Sequence, residues 1–238
     1  DVYKRQIVDA ARKDLKALQD ADVDAVMFGN ENDRPYELSV DTASTATMAY
    51  VIGQLRGDIA KPFGVNVLWD PMSTVALAAA TGASFLREIL TGTYASDMGP
   101  WTPNAGEAMR YLHRLRRPDV AMLANVSAEF AWSLDRRELA DRARSAVFSS
   151  IPDAILVSGA ITGEAAEMGD LQSVKAALPN TPVLANTGVR HNTVADVLSV
   201  ADGCVVGSSL KVDGDTWKPV DAARAAEFMR LAKAARGE

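Results

Sequence analysis

The stretch Pro182-Val183-Leu184-Ala185-Asn186-Thr187-Gly188, followed by Gly203-Cys204-Val205-Val206-Gly207-Ser208-Ser209-Leu210-Lys211, decides the fold. Each half opens on a short apolar run of a length that suits a buried strand. Each run ends in a small, glycine-bearing, hydroxyl-rich loop, and a polar helix start at His191-Asn192-Thr193 lies between them. In a (β/α)8 barrel the loops after strands 7 and 8 form the usual phosphate cup. Glycine lets backbone approach a ligand, and the N–H groups at a helix start point at an anion. Thr187, Gly188, Gly207, Ser208, Ser209 and Lys211 are therefore the candidate phosphate-binding residues. Two ordinary strand-to-helix turns would use the same residue types.

Working outward, the same alternation fills the rest of the chain. Apolar residues at helical spacing mark helices over 7–18, 39–56, 105–116, 170–177, 194–200 and 220–235. Asp70-Pro71 opens a short Ala-rich helix, with Asp as cap and Pro at the first helical position. Asp135-Arg136-Arg137-Glu138 reads as a capping box for a helix running to Phe148. Short apolar runs at 24–28, 62–69, 84–89, 120–126 and 153–157 are strands, and 91–103 is a long loop. With the two strands above, seven strands alternate with eight helices. Units of 25 to 35 residues indicate parallel β/α architecture. No G-x-G-x-x-G follows the first strand, as a doubly wound nucleotide-binding sheet would have. The fold expected is a TIM-type barrel, one domain over residues 1–238, with its first strand absent. Residues 1–6, with no initiator Met, read as foreign to the rest.

Composition sets the outer bounds. The chain has 238 residues, 48% hydrophobic and 24% charged, with net charge −6. That balance gives no basic face for nucleic acid. No apolar run approaches a membrane span. A single cysteine, Cys204, excludes an internal disulfide and is expected to fill core. The two histidines, His113 and His191, lack zinc spacing. A cytoplasmic protein is expected.

Barrel active sites lie at the carboxyl ends of the strands. The polar residues there are Asn30, Glu31 and Asp33, then Asn66 and Asp70, Arg87 and Glu88, Tyr94 and Asp97, Asn125 and Glu129, Ser158, Asn186 and Lys211. Asn66, Asn125 and Asn186 sit in otherwise apolar strands, and buried amides need partners. Their convergence on one mouth points to ligand hydrogen bonding. Arg87 and Glu88 are neighbours on a strand, so only one of them can face the lumen. Glu88 is the candidate base or divalent-cation ligand. The catalytic candidates are Glu88, Asp70 and Asn66. The substrate-binding candidates are Asn30, Asp33, Arg87, Asp97, Asn125, Ser158 and Asn186. No protein metal site is assigned, and a divalent cation as cofactor is left open. The partner expected is a small phosphorylated molecule, with further copies of the chain left open.

Several ordered motifs resemble the BtpA family, particularly its SgcQ-like branch. They are Phe63-Gly64-Val65-Asn66-Val67-Leu68-Trp69-Asp70, Ala83 to Gly92, Asp97, Ser158-Gly159, Asn186-Thr187-Gly188, and Ala201-Asp202-Gly203 through Lys211-Val212-Asp213-Gly214. Pro219-Val220-Asp221 leading to Phe228-Met229 is similar to the family's ending. Members begin with a strand carrying a His-Leu-x-Pro-Leu-Pro-Gly-like segment that this sequence lacks. In the family's Asn-Phe-Gly-Asp-x-Pro-Phe motif, Asn30, Asp33, Pro35 and Tyr36 fit, while Glu31 and Asn32 depart. The resemblance implies a ribulose-phosphate-binding type of barrel. It implies no agreed reaction: the family is named for a role in photosystem I biogenesis, and SgcQ-like members sit among sugar-metabolism genes and are labelled as nucleotide phosphatases. The function expected is an enzyme on a sugar phosphate or nucleotide (isomerase, lyase or phosphohydrolase), with a non-catalytic assembly factor as the alternative. An exposed Trp101 and Trp132 would suit the second.

Overall fold

The structure, a computed structural model, describes residues 2–238; of the stretch 1–6, Asp1 lies outside the described residues. The chain opens with helix α1 (Val2–Asp20) and strand β1 (Val26–Gly29). Then come α2 (Thr42–Leu55), β2 (Phe63–Asn66), α3 (Pro71–Thr81) and β3 (Phe85–Glu88). Two short strands follow, β4 (Tyr94–Ser96) and β5 (Gly99–Trp101), before α4 (Ala105–Arg114), β6 (Ala121–Asn125) and β7 (Ala131–Ser133). The remainder is α5 (Leu139–Ser150), β8 (Ala154–Val157), α6 (Met168–Ala177), β9 (Val183–Ala185), α7 (Val194–Leu198), β10 (Gly203–Cys204) and α8 (Ala222–Arg236). Two 3-10 turns, Ser208–Leu210 and Val212–Gly214, stand between β10 and α8.

Seven strands pair in parallel in the order β1-β2-β3-β6-β8-β9-β10. The sheet curls into an open barrel, and β1 and β10 are its two edges. The helical layer bridges that opening: α1 packs on α8. Lys233 and Arg236 of α8 pair there with Asp22 and Asp24.

The strand register shows which side chains line the lumen. Gly64 pairs with Phe85, Arg87 with Leu123, and Asn125 with Leu156, so these residues share one face. Alternation extends that face to Asn66, Ser158 and Asn186. A Cβ at Gly64 would stand 2.1 Å from the Phe85 ring, so any larger residue there must displace that ring. The opposite face carries Val65, Leu86 and Val157, all fully buried against helix residues such as Leu55, Leu77 and Val174.

Two expectations need correction. Residues 91–103 are not a loop. Tyr94–Ser96 and Gly99–Trp101 form a hairpin, and β7 pairs with its other side to give a three-stranded antiparallel sheet, β5-β4-β7. The capping box at 135–138 is not formed either. Helix α5 starts at Leu139 without a side-chain cap. The Asp135 carboxylate instead takes the Arg137 amide at 2.9 Å and the Arg137 guanidinium at 2.8 Å. Asp70 does cap α3, accepting from the Ser73 amide, with Pro71 at the first helical position.

Candidate active site

The carboxyl ends of the parallel strands carry one continuous polar network. Arg87 Nη2 donates to Glu129 Oε1 at 2.8 Å, and Arg87 Nη1 donates to Asn66 Oδ1 at 3.3 Å. Asn186 Nδ2 donates to Glu129 Oε1 at 3.3 Å and to Ser158 Oγ at 2.6 Å. Asn125 Nδ2 reaches the same Ser158 Oγ at 2.9 Å. All six residues are buried. The network joins β2, β3 and β6 to the loops after β8 and β9. Sequence reading put five of these residues in the site. The sixth, Glu129, was visible only as one polar residue among many. Its role depends on the buried pairing with Arg87, which no local pattern encodes.

The two neighbours on β3 separate as alternation requires, with Arg87 the one in the lumen. Glu88, expected as the lumen carboxylate, sits on the face toward α3. Its Oε1 lies 2.6 Å from Thr74 Oγ1 of that helix and accepts from Asn66 Nδ2 at 2.8 Å. Its Oε2 accepts from the Ile89 amide. Burial raises the Glu88 carboxyl to about 8, against the opposing pull of the Thr74 and Ile89 hydrogen bonds. Glu88 is thus mostly protonated at neutral pH, buried, and in contact with a lumen amide. Glu31, at the end of β1, is also raised by burial, with Arg87 and Lys211 opposing and Glu129 adding to it. Arg87, Glu129, Glu31 and Lys211 are therefore electrostatic neighbours around the mouth.

A pocket of about 250 Å³, including its opening to solvent, is lined by Asn66, Trp69, Arg87, Glu88, Asn125 and Glu129, among others. Trp69 was not a sequence candidate. It adopts a positive φ of 69°, a costly conformation for a bulky side chain. Its indole Nε1 is buried without a hydrogen-bond partner, and so is Asn186 Oδ1. The Trp69 ring rests on Trp101, with centroids 5.2 Å apart. Trp101 is 7% exposed, contrary to the exposed placement considered above, whereas Trp132 is 78% exposed.

The remaining candidates are placed as follows. Asp70 is occupied on both oxygens, by the Ser73 amide and hydroxyl and by the Val40 amide. Asn30 Oδ1 accepts from the Leu68 amide and ties β1 to the end of β2. Asp33 and Asp97 lie exposed in loops, with no bond to the network among the described residues. Thr187 Oγ1 accepts from the Gly159 amide at 2.7 Å. Gly188 has φ 66°, and a Cβ there would meet the Ala165 backbone nitrogen at 2.1 Å. Its glycine thus serves packing against the loop after β8. Gly207 differs, with open space where a Cβ would be. The 3-10 turn beginning at Ser208 follows it, and the first amides of such a turn have no partner within it. Ser209 Oγ lies 3.2 Å from His191 Nδ1, and Lys211 Nζ donates to the Thr216 carbonyl at 2.6 Å. Among the described residues no three His, Cys, Asp or Glu gather as a metal site. Burial raises the Cys204 thiol to about 11, consistent with core filling. No helix of residues 2–238 is long and apolar enough to cross a membrane.

Comparison with known proteins agrees with the fold. The BtpA family model matches residues 3–234. The Escherichia coli putative sgc region protein SgcQ is 49% identical over 94% of this chain and 83% of its own length. The Synechocystis photosystem I biogenesis protein BtpA is 31% identical over 94% and 78%. Among solved structures, N-(5'-phosphoribosyl)anthranilate isomerase from Pyrococcus furiosus superposes with TM-score 0.61 at 17% identity, covering 93% of this chain and 95% of that one. The native KDPGal structure gives 0.62 at 17% identity, covering 96% and 90%.

Proposed function

The chain belongs to the BtpA family, and from that premise we propose that it is an enzyme acting on a small phosphorylated metabolite, a sugar phosphate or a nucleotide, at the carboxyl ends of the parallel strands. One observation carries the reading. Trp69 Nε1 and Asn186 Oδ1 are a buried donor and a buried acceptor without partners at the mouth. Buried polar groups in folded proteins are paired, and a bound polar ligand supplies both partners. The resemblance in fold to an isomerase of phosphoribosyl compounds supports the substrate class.

In this reading the phosphate sits over the open side of Gly207, against the amides of the Ser208 turn and the Lys211 charge, with Thr187, Gly188 and Ser209 shaping the loops. Asn66, Asn125, Ser158 and Asn186 orient the polar body of the substrate. Arg87 is held by Glu129 and offers charge to a developing oxyanion. Glu88, neutral at pH 7, is a proton donor of the kind isomerases, lyases and phosphohydrolases use. Asp70 is the cap that fixes the β2–α3 turn beside it. The setting is cytoplasmic.

The test is a thermal-shift screen of phosphorylated metabolites followed by turnover of the best binder. Glu88→Gln should lower turnover about 10²–10⁴-fold, the range for losing a general acid, with binding little changed. A binder turned over equally by Glu88→Gln contradicts the assignment. A second reading, a non-catalytic assembly factor, is favoured by the exposed Trp132 and Leu134 on and beside β7. It predicts that Trp132→Ala removes function in the cell while Glu88→Gln preserves it.

A further inference from the structure

A second cavity flanks the mouth at the ends of β3 and β6 and shares no lining residue with it. It encloses about 350 Å³, including its opening to solvent. One wall is helix α5, which contributes Arg142, Ser145 and Ser149, three positions on a single helical face. The other wall is the loop after β3 and the small sheet, with Thr91, Tyr94 and Ser133. The wall chemistry is thus hydroxyl groups with the Arg142 and Arg137 guanidinium groups and the Asp135 carboxylate.

The charges inside leave one cation in excess: Arg137 and Arg142 both act on the single carboxylate of Asp135. Asp135 reaches the cavity, but Arg137 holds its carboxylate by two guanidinium nitrogens and its own amide. The Arg142 side chain has no hydrogen-bonded partner among the described residues, and its Nε is buried and unsatisfied. A guanidinium carries five donors in a fixed fork that fits phosphate and carboxylate oxygens. A desolvated donor on a cation is costly to leave unmade. The fold therefore keeps a cationic fork, with hydroxyl groups on both sides of it, in a cleft open to solvent.

We propose that this cavity between α5 and the small sheet is a second anion site, in which Arg142 and the hydroxyls of Thr91, Ser133 and Ser145 bind a phosphate group. Donors on opposite walls suit a tetrahedral oxyanion, whose oxygens point in several directions, better than a planar carboxylate. The site is independent of the phosphorylated substrate assigned to the mouth.

The probe is inorganic phosphate, added to the full chain labelled with 15N on arginine side chains, with acetate titrated in parallel. The Arg142 Nε–H resonance, assigned by Arg142→Lys, should move on phosphate addition and move less with acetate. Gly207→Val, which alters only the mouth, should leave that movement intact. By calorimetry Arg142→Met should weaken this binding event about tenfold or more, the scale of a charge-assisted bidentate contact. The proposal is overturned if phosphate leaves the Arg142 resonance unmoved, if acetate moves it as far, or if Gly207→Val abolishes the movement. Should Arg142→Met not fold, the titration of the unmodified chain decides.

Discussion

Glu88 shows how a single side chain is set by its surroundings. It faces α3 from the end of β3, closed in by Asn66, Thr74 and Ile89. Its carboxyl is held at about 8 by burial, against about 4.3 in an unfolded chain. The folded state therefore holds a proton that the unfolded chain releases. Stability from the neutral form is full below about pH 4, and declines by about 1.4 kcal/mol per pH unit as pH rises toward 8. Glu88→Gln cannot ionise and should flatten this decline, so the variant gains on the parent between pH 5 and 8. Melting temperature against pH for both proteins checks this, and parallel profiles would contradict it. Alternation made it legible in sequence that Arg87 and Glu88 face opposite sides. Which of them faces the lumen was not, because that depends on where the sheet places its helices.

At the scale of elements, the alternation of strands and helices was readable because each strand is a compact apolar run followed by an amphipathic or Ala-rich helix. The small sheet was not readable. Its strands are three residues each, one contains Pro100 on an edge, and β7 comes from beyond β6. Nothing local announces a pairing across so much chain. What holds the ends of the parallel strands together is the Arg87–Glu129 pair, with side chains 10% and 7% exposed. Arg87→Met leaves Glu129 buried without its cation, and removing one partner of a buried pair costs about 3–5 kcal/mol. Chemical denaturation should show that loss. Arg87→Met with Glu129→Gln should recover part of it, and a loss under 1 kcal/mol for the single variant would mean the network is peripheral to stability.

For the whole molecule, the open barrel predicts an uneven distribution of stability. The central strands β3, β6 and β8 are hydrogen-bonded on both sides, while β1 and β10 each have one free side. Native-state hydrogen exchange should find the amides of β3, β6 and β8 the slowest and those of β1 and β10 faster; uniform protection would contradict the open arrangement in solution. Barrel geometry also made the mouth legible, since five lumen residues of one network were candidates from sequence. Trp69 and the packing role of Gly188 were not, because each depends on contacts between separate loops. The central claim is that this barrel receives a phosphorylated small molecule at the carboxyl ends of its strands. Calorimetric affinity for a ligand and its dephosphorylated counterpart, in the parent and in Gly207→Val, tests it most directly. The claim predicts that the parent prefers the phosphorylated form and that Gly207→Val, still folded, loses most of that preference. An intact preference in the folded variant would contradict it.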